Sequence, residues 1–238
     1  MRIALIGYGK MGRMIEEIAL QRGHEIVLKI DVSNQQDFIK ENIAKANVAI
    51  EFTGPDSAFD NVIQCIEFGV PVVSGSTGWN NKMEEAKTHC RQKNGSFLYA
   101  SNFSVGVNIF FEVNKLLAEL MESHQEYDVT LKEIHHTQKK DAPSGTAVTL
   151  AEQILANVSR KKNWVNAETT SGDELCISSE RIDPAPGTHH VKYSSEVDDI
   201  EIIHTAHSRK GFAHGAVLAA EFISDKIGIF SMKDVLHL

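Results

Sequence analysis

Residues 133–146 concentrate groups that move protons and hold anions: Glu133, His135, His136, Lys139, Lys140 and Asp141, followed by Ser144, Gly145 and Thr146. Histidine titrates near neutral pH and lysine supplies a cation or a proton. Together, His135, His136 and Lys139 can protonate a reacting carbon while holding carboxylates. Ser144, Gly145 and Thr146 open a helix, and the N–H groups of a helix start suit a carboxylate. The same triplet also reads as a plain N-cap, and paired histidines also occur as solvated surface groups. A second constellation lies at the N-terminus. Gly7, Gly9 and Gly12 form GxGxxG, with Tyr8, Lys10 and Met11 between them. Glycines so spaced let a backbone turn tightly and approach a pyrophosphate at a helix N-terminus, which makes this segment a dinucleotide-binding candidate. Asp31 lies nineteen residues beyond Gly12, where a carboxylate accepts hydrogen bonds from a ribose diol and repels a 2′-phosphate. That leans towards NADH, although Lys29 or Arg13 leaves NADPH open.

These groups need elements to carry them. Residues 2–6 are a short apolar run, and Met11, Met14, Ile15, Ile18 and Ala19 recur at helical spacing. A second apolar run at 26–30 stops at Asp31 and completes a βαβ unit. Further rounds follow: a strand at 48–52, a helix with Phe59, Val62, Ile63 and Ile66 on one face, a strand at 70–73, a polar helix from Asn81 and a strand at 97–100. Alternating strands and helices predict a Rossmann-like, doubly wound parallel sheet. Ligands in such sheets bind beyond the strands' carboxyl ends. There lie two loops of small polar residues, Gly75, Ser76 and Thr77, and Ala100, Ser101, Asn102 and Phe103, which are candidates for the nicotinamide half or ordinary turns. After a helix at about 107–121 the pattern changes to strands at 127–135, 175–180, 189–197 and 200–207, with Asp198 and Asp199 as a hairpin turn. One helix, about 145–158, interrupts them. This half is expected to be an α+β domain with an open, mixed and mostly antiparallel sheet. A last, alanine-rich helix at about 212–227 leads to a short tail. The expected division is 1–104 for the dinucleotide and 105–210 for substrate and oligomerisation, with 211–238 packing back onto the first domain.

The 238 residues carry a net charge of −8 and are 42% hydrophobic. That excludes a nucleic-acid binder on bulk charge and suits a small anionic substrate near local basic groups. No stretch reaches the ~18 apolar residues of a membrane span, and the opening residues do not form a secretory signal. Cys65, Cys90 and Cys176 show no CxxC spacing, so a reducing, cytoplasmic setting is expected. Histidines are plentiful, but no HExxH or CxxC pattern organises them, and no metal centre is expected.

HHxxKxDAPSGTA at 135–147 resembles the signature of the dihydrodipicolinate reductase family. So do GxGxxG, the GSTG loop, ASNFSVGVN at 100–108 and SRKGFAHGAV at 208–217, in the same order along nearly the whole chain. The resemblance implies NADH- or NADPH-dependent reduction of 4-hydroxy-tetrahydrodipicolinate to tetrahydrodipicolinate with loss of water, in the diaminopimelate route to lysine. It implies His135 as proton donor and acceptor, and Lys139 as a proton donor that also holds substrate. His136, Ser144, Gly145, Thr146 and Arg209 would be the substrate contacts. It also implies a homotetramer formed through the substrate domains' sheets, and closure of the domains over both ligands. One stretch departs from longer members: residues 181–187 read RIDPAPG, shorter and richer in proline. Two rivals share parts of the pattern. Another reductase on the same plan lacks the 135–147 signature, and a non-catalytic NADH sensor has no need to keep His135 with Lys139.

Overall fold

The computed structural model describes residues 1–238 and divides into two compact units, residues 1–105 with 210–238, and residues 106–209. The first opens with β1 (Arg2–Ile6), α1 (Lys10–Gln21) and β2 (Glu25–Ile30). The short α2 (Lys40–Ile43) precedes β3 (Val48–Glu51), α3 (Pro55–Glu67), β4 (Val72–Ser74), α4 (Met83–Gln92) and β5 (Ser96–Tyr99). Every strand among these is flanked by helix-forming sequence, so successive strands run parallel. α5 (Val105–Met121) then leads into the second unit.

There β6 (Asp128–His135) is followed by α6 (Gly145–Asn157), β7 (Asn163–Val165), β8 (Glu174–Arg181), β9 (Gly187–Ser194) and β10 (Asp199–Ala206). The sheet order is β10-β9-β6-β8-β7. β9 pairs antiparallel with both β10 and β6, while β8 runs parallel to β6 and β7. α6 is the crossover that makes the β6–β8 pair parallel, so the sheet is mixed. Strand alternation sorts the faces. Val129, Leu131, Leu175, Ile177, Val191 and Tyr193 form a core with α6 residues such as Leu150 and Ile154. The opposite face carries Thr130, Lys132, Ser178 and Lys192, which are exposed or half-buried. The hairpin turn falls one residue earlier than expected: Ser195 N–H donates to the Asp198 carbonyl, and Asp199 already belongs to β10, paired with Lys192 at 2.7 Å.

The chain then returns to the first unit with α7 (Lys210–Ile223), β11 (Gly228–Phe230) and α8 (Met232–Leu236). The expected tail is thus a sixth strand and a capped helix. The finished sheet reads β11-β5-β4-β3-β1-β2, all parallel. The alanine face of α7 packs into the core beside Ile15, Ile50 and Phe103. Small residues permit close approach: a Cβ at Gly215 would stand 1.7 Å from the Phe103 carbonyl oxygen. α7 thereby fixes the backbone that follows β5. No helix is long and apolar enough to cross a membrane.

Candidate functional site

The dinucleotide candidates gather at the carboxyl ends of β1 to β5. Gly7 adopts a φ of 95°, and a Cβ there would meet the Phe52 carbonyl oxygen at 2.1 Å. A Cβ on Gly12 would meet the Gly7 carbonyl oxygen at 2.2 Å, so α1 starts in contact with the loop. Gly9 has nothing within 4 Å of its Cβ position and is the uncapped N-cap of α1, which leaves a backbone approach for a phosphate. A cleft of about 720 Å³ runs past these glycines to Asp31, Gln35 and Asn61. Lys10 stands exposed at the helix start, and Met11 lines a smaller hollow with Thr53, Gly75, Ser76 and Thr77.

The rim near Asp31 is charged in a particular way. Asp31 accepts from Ser33 N (2.7 Å) and Ser33 Oγ (2.6 Å), and these bonds, with Arg13 nearby, hold its carboxyl below the usual range. Lys29 is drawn away to Glu16 at 2.6 Å and lies over the Tyr8 ring, whose hydroxyl also donates to Glu16. Two of the candidate side chains, Phe103 and Ser76, are buried. Phe103 is 1% exposed and packs on Phe52 with ring centroids 5.6 Å apart, so it belongs to the core. Ser76 Oγ donates to Glu51 at 2.7 Å. Glu51, not anticipated from sequence, is fully buried and collects Thr53 N, Thr53 Oγ1, Ser74 Oγ and Ser76 Oγ within 2.5–2.8 Å. It ties the loops after β3 and β4 together.

In the second unit, the last turn of β6, the following loop and the start of α6 bring the 133–146 groups together. His135 and Glu133 are two residues apart on one strand and share the buried face. Glu133 is fully buried. Its Oε1 accepts from Ser144 N (3.1 Å) and Arg181 Nη2 (3.0 Å). Oε2 lies 2.8 Å from His135 Nδ1, off the line of a straight hydrogen bond, and neither atom has another hydrogen-bond partner. Burial alone would raise the Glu133 carboxyl's pKa, but the His135, Ser144 and Arg181 donors outweigh it and hold the group far below the usual carboxylate range.

Ser144 caps α6, accepting from Ala147 N at 3.2 Å, and its Oγ meets His189 Nε2 at 3.1 Å. His189 faces Glu133 across the β6–β9 register. Burial, then His135, push its pKa down to about 3, so it is neutral at working pH. Lys139 Nζ pairs with Asp141 at 2.7 Å, and Arg181 reaches the carbonyls of Lys139 (3.2 Å) and Asp141 (2.6 Å). Arg209 Nη2 approaches His136 Nε2 at 3.5 Å. Gly145 is exposed at the helix start, with Thr146 half-buried behind it. His135, Lys139, Ser144 and Gly145 are therefore neighbours around one buried carboxylate, with Arg209 beside His136. Arg181, Gly187 and His189 join the group without a signal in sequence spacing, and Glu133, one of the 133–146 groups, gains its particular place only from the fold. Glu133, His135 and His189 also place one ligand atom each within 4.8 Å. Arg181 and Ser144 N occupy Oε1, and the His135 ring stands 2.8 Å from Oε2.

The neutral state of His189 has a stability consequence. Its pKa is depressed in the fold, so the unfolded chain takes up the proton first as pH falls below about 6.5, and stability declines until about pH 3. Relative to wild type, His189→Gln removes that loss, up to about 5 kcal/mol at the acid end. Urea unfolding of both proteins at pH 7 and pH 4.5 checks this: an unchanged difference between them at the two pH values counts against it.

Residues 1–103 match the family profile described as "Dihydrodipicolinate reductase, N-terminus", and residues 106–236 the one described as "Dihydrodipicolinate reductase, C-terminus". The chain is 50% identical over 236 residues to a 4-hydroxy-tetrahydrodipicolinate reductase of Christiangramia forsetii, covering 99% of this chain and 98% of that one. It is 31% identical over 230 residues to the protein of the same name from Neisseria gonorrhoeae, covering 94% and 84%. Among solved structures, a dipicolinate-bound dihydrodipicolinate reductase from Paenisporosarcina sp. TG-14 superposes with a TM-score of 0.77 at 22% identity, over 97% of each chain, which shows the shared fold.

Proposed function

The chain belongs to the dihydrodipicolinate reductase family, and from that premise we propose that it reduces 4-hydroxy-tetrahydrodipicolinate to tetrahydrodipicolinate with loss of water, using NADH in preference to NADPH. The observation that carries this reading is the gathering of His135, Lys139 and the α6 start around Glu133, with His136 and Arg209 alongside. Bound in the first unit's cleft, the nicotinamide supplies the hydride. The second unit supplies the acid and the anion sites. His136, Arg209 and the Gly145–Thr146 helix start hold the two substrate carboxylates. His135 and Lys139 supply the proton needed as electron density builds on the ring. Lys139 must exchange Asp141 for substrate to do so.

NADH preference is supported by the Asp31 carboxylate and by Glu16, which holds Lys29 away from the ribose edge. Asp31→Asn is expected to raise the KM for NADH about 10- to 100-fold, the worth of hydrogen bonds to a charged group, with little change for NADPH. Equal losses with both coenzymes would place the ribose contact elsewhere. The three free cysteines and the uncovered sheet face of the second unit support a cytoplasmic homotetramer, which light scattering tests. The reaction is tested by following NADH oxidation at 340 nm with substrate formed in place from pyruvate and aspartate semialdehyde by the synthase that makes it. Oxidation that needs the synthase supports the assignment. Silence while NADH still binds counts against it and favours another reductase or a sensor.

A further inference from the structure

We propose that Glu133 is the positioning residue of the site: it fixes His135 with the ring proton on Nδ1, so that Nε2 is the atom that gives and takes the proton in turnover. For turnover this rests on the reductase reading above. The placement itself rests on the fold.

A carboxylate only accepts hydrogen bonds and repels a second lone pair, so the contact at 2.8 Å between Glu133 Oε2 and the imidazole favours the tautomer with N–H on Nδ1. The other oxygen is committed to Ser144 N and Arg181 Nη2, so the carboxylate is held by the start of α6 and by β8 and cannot swing to follow the ring. On the far side of the imidazole, a Cβ at residue 187 would lie 3.0 Å from Nε2. Glycine there keeps that atom uncovered. The same carboxylate thus spans the proton carrier and the helix start that receives a substrate carboxylate, and sets their spacing.

The surrounding charges favour this division of labour. From β9, His189 faces the pair and is neutral; from β10, His204 is shifted in the same direction by burial. From β8, Arg181 neutralises one carboxylate oxygen. From the loop, Lys139 and Asp141 pair with each other. Glu133 is therefore the one anion set directly against His135, and it stabilises the imidazolium that forms when Nε2 takes a proton.

Glu133→Gln separates this role from simple packing. Ser144 N and Arg181 both require the amide oxygen, so the amide NH₂ must face His135, and a ring atom facing a donor becomes an acceptor. In the full-length protein with ¹⁵N-labelled histidine and no substrate, neutral His135 is expected to carry its proton on Nδ1 in wild type and on Nε2 in Glu133→Gln. Turnover should fall by about tenfold or more with the substrate KM within about threefold, as for loss of a general acid–base group's orientation. Arg181→Gln is the comparison: it lowers stability but leaves Glu133 on His135, so the tautomer stays on Nδ1. If Glu133→Gln alone does not fold because it strands Arg181, the double variant Glu133→Gln/Arg181→Gln removes both buried charges and carries the measurement. An Nδ1 proton that persists without Glu133, or that is lost equally in Arg181→Gln, overturns the proposal. Wild-type protein that fails to turn over while its His135 tautomer follows Glu133 would sink the reductase reading and leave this placement standing.

Discussion

His135→Gln is expected to lower kcat by about 10³-fold, within the range that a positioned general acid–base group contributes, while the Kd for NADH stays within about twofold. The separation follows from where the residue sits. His135 ends β6 in the second unit, 7% exposed and held by Glu133, whereas the dinucleotide cleft is lined by residues of the first unit. Glutamine preserves polarity and approximate size but cannot cycle a proton near neutral pH. Lys139→Ala should lower kcat comparably and also raise the substrate KM, because it removes a cation as well as an acid. Stopped-flow turnover with fluorescence titration of NADH measures both quantities. Near-normal turnover in both variants would refute the assigned roles, and an equal loss of NADH affinity would mean that the substitutions act through the fold.

The parts of this molecule written in local pattern were readable from the sequence. Strand, glycine turn, helix, strand and acid at 2–31 form a self-contained unit, and the alternation after it specifies a parallel sheet without long-range information. The 135–147 signature drew attention to the segment that folds around Glu133. What escaped depends on register and burial, which sequence spacing does not encode. Glu133 meets His189 only because β6 and β9 pair in one particular register, with Glu133 opposite His189. Arg181 reaches back to Lys139 and Asp141 only because β8 lies parallel to β6 across a helical crossover. Phe103 and Ser76 sit at loop positions that suggest ligand contact, yet one side chain fills the core and the other serves Glu51. The last elements, β11 and α8, are only three and five residues long. Sequences so short carry too few periods to distinguish a strand or helix from a tail.

Gly12→Ala tests the dinucleotide site with a single methyl group. The added Cβ would stand 2.2 Å from the Gly7 carbonyl oxygen, and that neighbour is backbone already fixed by Gly7 N–H donating to the Ile30 carbonyl at 2.8 Å. Neither side can yield by a rotamer change, so α1 must move outward from the β1 turn. Moving it costs about 1–3 kcal/mol in packing, and it withdraws the helix N–H groups from the pyrophosphate. Hydrogen bonds to a charged group are worth about 1.5–3 kcal/mol each. Losing two of them weakens NADH by about 10²- to 10⁴-fold, far beyond the effect on stability. NADPH should weaken by the same factor, since the pyrophosphate is common to both coenzymes, and this contrasts with the selective loss in Asp31→Asn. Calorimetric titration of both coenzymes into folded Gly12→Ala protein decides the matter. Affinity within about threefold of wild type would show that α1 does not hold the pyrophosphate, and would move the coenzyme's anchor to the loops that Glu51 ties together.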